Sequence, residues 1–129
     1  MNEPEWVARG TALELHQNSI AEHGGTHGIR DEGLLDSALG KPENVFAYGN
    51  PAIFDLAASY TFGLVKNHPF LDGNKRTAFV TGVLFLELNG YHCHAAEMDA
   101  AARTLALAAG EMTEASYAAW LEASCQPAV

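Results

Sequence analysis

Asn67-His68-Pro69-Phe70-Leu71-Asp72-Gly73-Asn74-Lys75-Arg76-Thr77 joins the end of one helical pattern to the start of another, and its reading decides the fold. Before it, Ile53, Leu56, Ala57, Tyr60 and Leu64 recur at i, i+3, i+4, i+7 and i+11, the stripe of an amphipathic helix. His68 precedes proline, which pushes it out of the α region, so that helix ends at Asn67-His68-Pro69. A new helix is expected from Gly73 or Asn74 to Leu88, closed by Asn89-Gly90. Its apolar residues lie almost all round, which predicts the central, buried helix.

Working outward, the reading is helix after helix. Leu13, His16 and Ile20 share a face of a first helix expected from Glu5 to His23, stopped by Gly24-Gly25. Asp31 is placed to cap a short second helix carrying Leu34, Leu35, Ala38 and Leu39, ended by Gly40 and Pro42. Glu43 to Tyr48 reads as a loop, with its apolar side chains packed onto the domain or folded over a ligand. Asn50-Pro51 reads as N-cap and first residue of the third helix. Beyond the fourth, Tyr91-His92-Cys93-His94 reads as a short extended connector. A fifth helix spans Ala96 to Ala109, and Thr113 caps a last one with Tyr117, Trp120 and Leu121. The expectation is an all-α, single compact helical domain over residues 1–129.

Composition narrows the functional classes. In 129 residues, 48% hydrophobic and 18% charged, one ordinary core can form and disorder is excluded. Sixteen acidic against seven basic residues give a net charge of −9, which argues against general affinity for nucleic acid or anionic membranes. Ala78 to Leu88 is too short to span a bilayer, and the acidic N-terminus lacks signal-peptide features, so a cytoplasmic location is expected. Cys93 and Cys125 leave a single disulfide open and suggest no disulfide framework.

The central run has the order that phosphate chemistry requires. His68 suits a general base, since histidine ordinarily titrates at about 6.5, near working pH. Such a base supplies roughly 10²- to 10⁴-fold of rate, about 3–5 kcal/mol of barrier, leaving the rest to positioning and charge. Asp72 is placed to hold Mg²⁺ beside phosphate oxygens. Gly73 and Asn74 tolerate the backbone of an anion nest at a helix N-terminus, and Lys75 and Arg76 add full charges. Two cations in a first turn oppose the helix dipole, a broken local rule of the kind that marks functional sites. His92-Cys93-His94 brings at most two ligands to one side, short of a zinc site, and no strand leads into Lys75 as a Walker loop needs.

His68-Pro-Phe-Leu-Asp72-Gly-Asn-Lys-Arg-Thr77 resembles the signature of the Fic/Doc family, and its Lys75 resembles the Doc, or death on curing, branch. Gly25 to Leu35 and Leu86 to Gly90 extend the likeness over most of the chain. The resemblance implies an all-helical fold, with ATP and Mg²⁺ as co-substrates. It also implies roles: His68 as base, Asp72 on the metal, and Gly73, Asn74, Lys75 and Arg76 as phosphate cradle. Most Fic proteins transfer AMP, but Lys75 and Phe79 stand where their motif has Gly and a second Arg. Those departures count against AMP transfer, and the resemblance to the Doc branch implies γ-phosphoryl transfer to a threonine of elongation factor Tu, which stalls translation. No Ser or Thr has Glu four residues later, so the internal inhibitory helix of many Fic enzymes is missing from this sequence. Restraint would then fall to a separate antitoxin of the Phd type. The alternatives are a Fic-type AMP transferase and a non-catalytic nucleotide-binding or interaction module. Arg30 and Asp31 could cap, pair or support the loop of His68.

Overall fold

A computed structural model describes residues 2–128. Its helices are α1 (Arg9–His23), α2 (Glu32–Tyr48), α3 (Ile53–Asn67), α4 (Asn74–Leu88), α5 (Glu97–Ala109) and α6 (Glu114–Ala123). Two three-residue strands, β1 (Tyr91–Cys93) and β2 (Cys125–Pro127), pair antiparallel with Cys93 opposite Cys125. The all-α expectation holds, with this small ribbon added. A Cys93–Cys125 disulfide closes the ribbon, resolving what the sequence left open.

The centre of the molecule is α3 rather than α4. Phe54, Leu56, Ala57, Ala58, Tyr60, Leu64 and Val65 are buried on several sides of it, and α2, α4, α5 and α6 all pack against it. By contrast, α4 opens with Asn74, Lys75 and Arg76, part of its surface faces a groove, and Leu88 is exposed. Where α3 and α4 cross, a Cβ on Gly82 would lie 2.6 Å from Thr61 Oγ1 and 3.0 Å from the Ala57 carbonyl oxygen. Only glycine permits that approach, and Thr61 Oγ1 donates to the Ala78 carbonyl across it at 2.9 Å.

Three other expectations are corrected. The first helix starts at Arg9, not Glu5, because residues before it form an extended strap. Glu5 exchanges two hydrogen bonds with the Asn89 side chain, the Val7 N–H donates to Tyr60 Oη, and Trp6 stacks on Phe85. Next, α2 runs through Gly40 and Pro42 to Tyr48, so Glu43 to Tyr48 is helix and not loop. Leu35, Ala38, Leu39, Pro42, Val45 and Phe46 form one continuous i, i+3, i+4, i+7 stripe, and its burial outweighs the hydrogen bond lost at proline. Finally, α3 is capped at Ala52 rather than at Asn50-Pro51, with the Ala52 N–H donating to Asp55 Oδ2 at 2.9 Å. Elsewhere the caps fall as read: Asp31 Oδ1 accepts from the Leu34 N–H, Thr113 Oγ1 from that of Ser116, and Gly110 closes α5.

Candidate functional site

His68 is the only non-glycine among the described residues with positive φ, at φ 51° and ψ 54°. Proline was expected to push it out of the α region and end the helix, and it does so by occupying the left-handed region, which costs about 1–3 kcal/mol for such a residue. Its surroundings over-determine that conformation. Its N–H donates to the Leu64 carbonyl at 3.1 Å, closing α3. Arg30 Nε donates to the His68 carbonyl at 2.7 Å and its Nη2 to that of Asn67 at 2.8 Å. Asn67 Nδ2 in turn donates to the Leu34 carbonyl. A guanidinium at this helix C-terminus also meets the negative end of the dipole. Thus Arg30 supports the His68 loop, and Asp31 caps α2.

The loop is sewn to the chain before α2 as well. The N–H groups of Arg30 and Asp31 donate to the Pro69 carbonyl, and that of Leu71 to the Gly28 carbonyl. Asn74, the first residue of α4, is 5% exposed and works entirely inward. Its Oδ1 accepts from the Phe70 N–H at 2.9 Å, while Nδ2 donates to the Phe70 carbonyl at 3.0 Å and approaches His68 Nδ1 at 3.2 Å. Both Phe70 bonds fix the amide orientation, so Nδ1 of the neutral His68 ring is an acceptor and its proton lies on Nε2. His68 as a residue is exposed.

Asp72 is exposed; Oδ1 accepts from the Gly73 N–H at 3.0 Å and Oδ2 from the Thr26 N–H at 3.2 Å. Each oxygen keeps a lone pair, and one carboxylate beside phosphate oxygens and water is a donor set that Mg²⁺ accepts. Gly73 sits at φ 74°, and a Cβ there would meet Ile20 Cδ1 at 3.0 Å. Its N–H is taken by Asp72, so Gly73 supplies the turn rather than a donor. Among the described residues the N–H groups of Asn74, Lys75 and Arg76 have no protein acceptor, leaving three donors at the positive end of a 15-residue helix. Lys75 and Arg76 are exposed, and Arg76 Nη2 lies 3.6 Å from Glu97 Oε1. His68, Asp72, Lys75 and Arg76 are thus all exposed around the start of α4, while Asn74 is buried beneath the loop.

Two contributors escaped the sequence reading. His16 of α1, 3% exposed, contacts the Asp72 carbonyl through Nε2 at 2.8 Å and stacks on Phe70. The signal was present: a histidine in the apolar stripe of Leu13 and Ile20 needs a buried partner. Gly25 is the other, since a Cβ there would meet Asp72 Oδ2 at 2.8 Å. His92 and His94 lie side by side on the ribbon, with ring centroids 6.3 Å apart, and among the described residues no group of three potential metal ligands forms.

The model of the Fic/DOC family matches residues 6–86. The chain is 32% identical over 107 residues to Protein kinase doc of Escherichia phage P1, an alignment covering 82% of this chain and 84% of that one. It is 44% identical over 80 residues to Toxin Doc of Mycolicibacterium smegmatis, spanning 59% of that relative's length and 59% of its own. Among the described residues no helix is long and apolar enough to cross a membrane.

Proposed function

Because the chain belongs to the Fic/DOC family, we propose that it is a Doc-like toxin with kinase-type transferase activity. It moves the γ-phosphoryl group of ATP to a protein hydroxyl, a threonine of elongation factor Tu, and an antitoxin of the Phd type restrains it. The observation that carries this reading is the Asn74 side chain, which ties the His68 ring to the same helical turn that offers three free N–H groups and two cations. The relative named Protein kinase doc supports the transferase class.

The chemistry follows from the residues. Phosphate oxygens accept from the N–H groups of Asn74, Lys75 and Arg76, with Lys75 and Arg76 side chains balancing their charge. Asp72 would hold Mg²⁺, which when bound supplies further neutralisation of the phosphate oxygens. The acceptor hydroxyl gives its proton to the imidazole of His68 as general base. Its oxygen bonds to the γ-phosphorus as the bond to the β–γ bridging oxygen breaks, and ADP leaves with that electron pair. Arg30 holds the backbone that carries the ring through the carbonyls of Asn67 and His68.

The test is transfer to elongation factor Tu with Mg²⁺ and either γ- or α-labelled ATP, using His68→Ala as control. Label from the γ position alone, lost in the variant, is the expected result. Label from the α position makes the protein an AMP transferase, and label from neither removes the proposed activity on this target.

A further inference from the structure

Between α2 and α3 lies a groove of about 330 Å³. Asn67 Nδ2 donates to the Leu34 carbonyl at 2.9 Å, and one turn earlier a Cβ on Gly63 would lie 3.3 Å from Ala38 Cα. The two helices thus run antiparallel along it. Asn44 and Val45 line its far end, and Ser37, Lys66 and Asn67 its near end, one residue before His68.

The groove is cationic in a chain of net charge −9. Lys41 Nζ lies 4.7 Å and Lys66 Nζ 5.9 Å from the centroid of the half-buried Phe62 ring, so cation–π attraction gathers both ammoniums on one wall. Lys41 also pairs with Glu114 at 2.9 Å, whereas Lys66 has no carboxylate partner among the described residues. Beyond the near end stands Arg30, exposed, on the carbonyls of Asn67 and His68. Three of the seven basic residues thus mark one route to His68. Carboxylates close to that route are engaged, Glu32 and Asp36 by Arg9 and Asp31 by the Leu34 N–H. None of the roles assigned above uses Lys41, Lys66 or Phe62.

We infer that this groove docks an acidic segment of the protein substrate, an inference that rests on the proposed transfer to a protein hydroxyl. Such a hydroxyl reacts only if its own chain is held beside His68, and the residues of the site bind phosphate or orient the base. A substrate carboxylate between Lys41 and Lys66 relieves the repulsion of two ammoniums held on one ring. An apolar neighbour of that carboxylate covers Val45 and the open part of Phe62. The segment leaves the groove past Asn67 and Arg30, which brings the residues that follow to His68. Attraction of this kind governs encounter and affinity for the protein substrate, and it leaves the chemical step alone.

The test measures KM and kcat for elongation factor Tu, equilibrium binding of that factor, and affinity for inorganic tripolyphosphate with Mg²⁺. Lys66→Glu reverses a charge at an exposed position and should fold, Lys66→Arg keeps the charge, and Lys41→Gln removes one. The reversal is expected to raise KM and weaken binding of the factor about tenfold, and Lys41→Gln about threefold, with kcat and tripolyphosphate affinity within about twofold. Lys66→Arg should match the unmodified protein, and added salt should narrow the differences. Unchanged KM and binding in both charge variants, or an equal loss of tripolyphosphate affinity, overturns the docking groove and leaves the transfer activity standing. If the factor binds without accepting label, the proposed activity falls, while binding weakened by Lys66→Glu still upholds the groove. A factor that neither binds nor accepts label removes both.

Discussion

The ring of His16 lies flat on that of Phe70, with centroids 3.8 Å apart and planes 7° from parallel. Through this stack α1 reaches under the loop that carries His68 and Asp72. Nε2 of His16 donates to the Asp72 carbonyl at 2.8 Å, which makes Nε2–H the required tautomer of the neutral ring. His16 is thus a positioning residue. Its imidazole holds the backbone of Asp72 while both oxygens of the carboxylate stay turned toward Thr26 and Gly73.

Replacing His16 by Phe keeps the stack and removes the donor, leaving the Asp72 carbonyl without its part-buried partner. The expected cost is about 1–3 kcal/mol of stability, with a fall in kcat for transfer. Asn at position 16 keeps a donor but loses the stack, and it should recover part of kcat. Urea unfolding together with steady-state kinetics of both variants tests the pair. Equal kcat in His16→Phe and the unmodified protein would remove the positioning role.

Arg30 predicts a sharper contrast. Its two donors reach two successive carbonyls, and lysine has a single charged centre on a flexible stem. Arg30→Lys should therefore behave almost like Arg30→Ala. In both, kcat should drop about tenfold or more as His68 leaves its left-handed conformation. Affinity for tripolyphosphate should hold, because the Arg30 side chain bonds the Asn67 and His68 carbonyls and takes no part in the free N–H groups of α4. A lysine variant with full activity would show that charge alone suffices.

Alkaline pH should destabilise the protein through two buried phenols. Burial pushes Tyr60 up to about 12, countered in part by the Val7 N–H that donates to its oxygen. Burial likewise pushes Tyr117 up to about 12, countered by its bond with Thr104. Below pH about 10 both folded and unfolded chains hold these protons, and the stability of the neutral packing is fully present. As pH rises from about 10 to about 12 the unfolded chain releases them first, so about 2–3 kcal/mol is lost for each group. Urea midpoints from pH 8 to 12 should fall along that window. Tyr117→Phe should flatten the decline, and an unchanged slope would assign it to other groups.

How much of this was legible follows from the range of each signal. Periodicity is local, and it located α3, α4, α5 and α6 well because their stripes are unbroken. In α2 the same stripe was present, but Gly40 and Pro42 were read as a stop. Tertiary burial of Val45 and Phe46 overrode that local rule. The strap before Arg9 depends on Asn89 and Tyr60, both distant in sequence. At the site, the motif order named His68, Asp72, Lys75 and Arg76, which the fold leaves exposed. It could not give Arg30 its two carbonyls or His16 its stack, because those contacts span 37, 38 and 56 positions. The left-handed His68 is the instructive case. Proline alone favours extended backbone, and only the combined pull of Arg30 and the closure of α3 reverses it.

The ribbon at the other end of α4 offers the last prediction. Cys93 and Cys125 are directly opposed across β1 and β2 and are 32 positions apart. Closing a loop of that length is worth about 3–4 kcal/mol against the unfolded chain. Reduction, or the paired Cys93→Ser and Cys125→Ser change, should lower the urea midpoint accordingly. The phosphate cradle should not respond, since it begins at Asn74 and the ribbon follows Leu88, about 20 Å away along the helix axis. Stability and tripolyphosphate affinity measured on the same reduced sample decide the matter. A fall in stability with affinity unchanged confirms that the ribbon closes the far end of the fold, whereas lost affinity would make the two ends of α4 coupled.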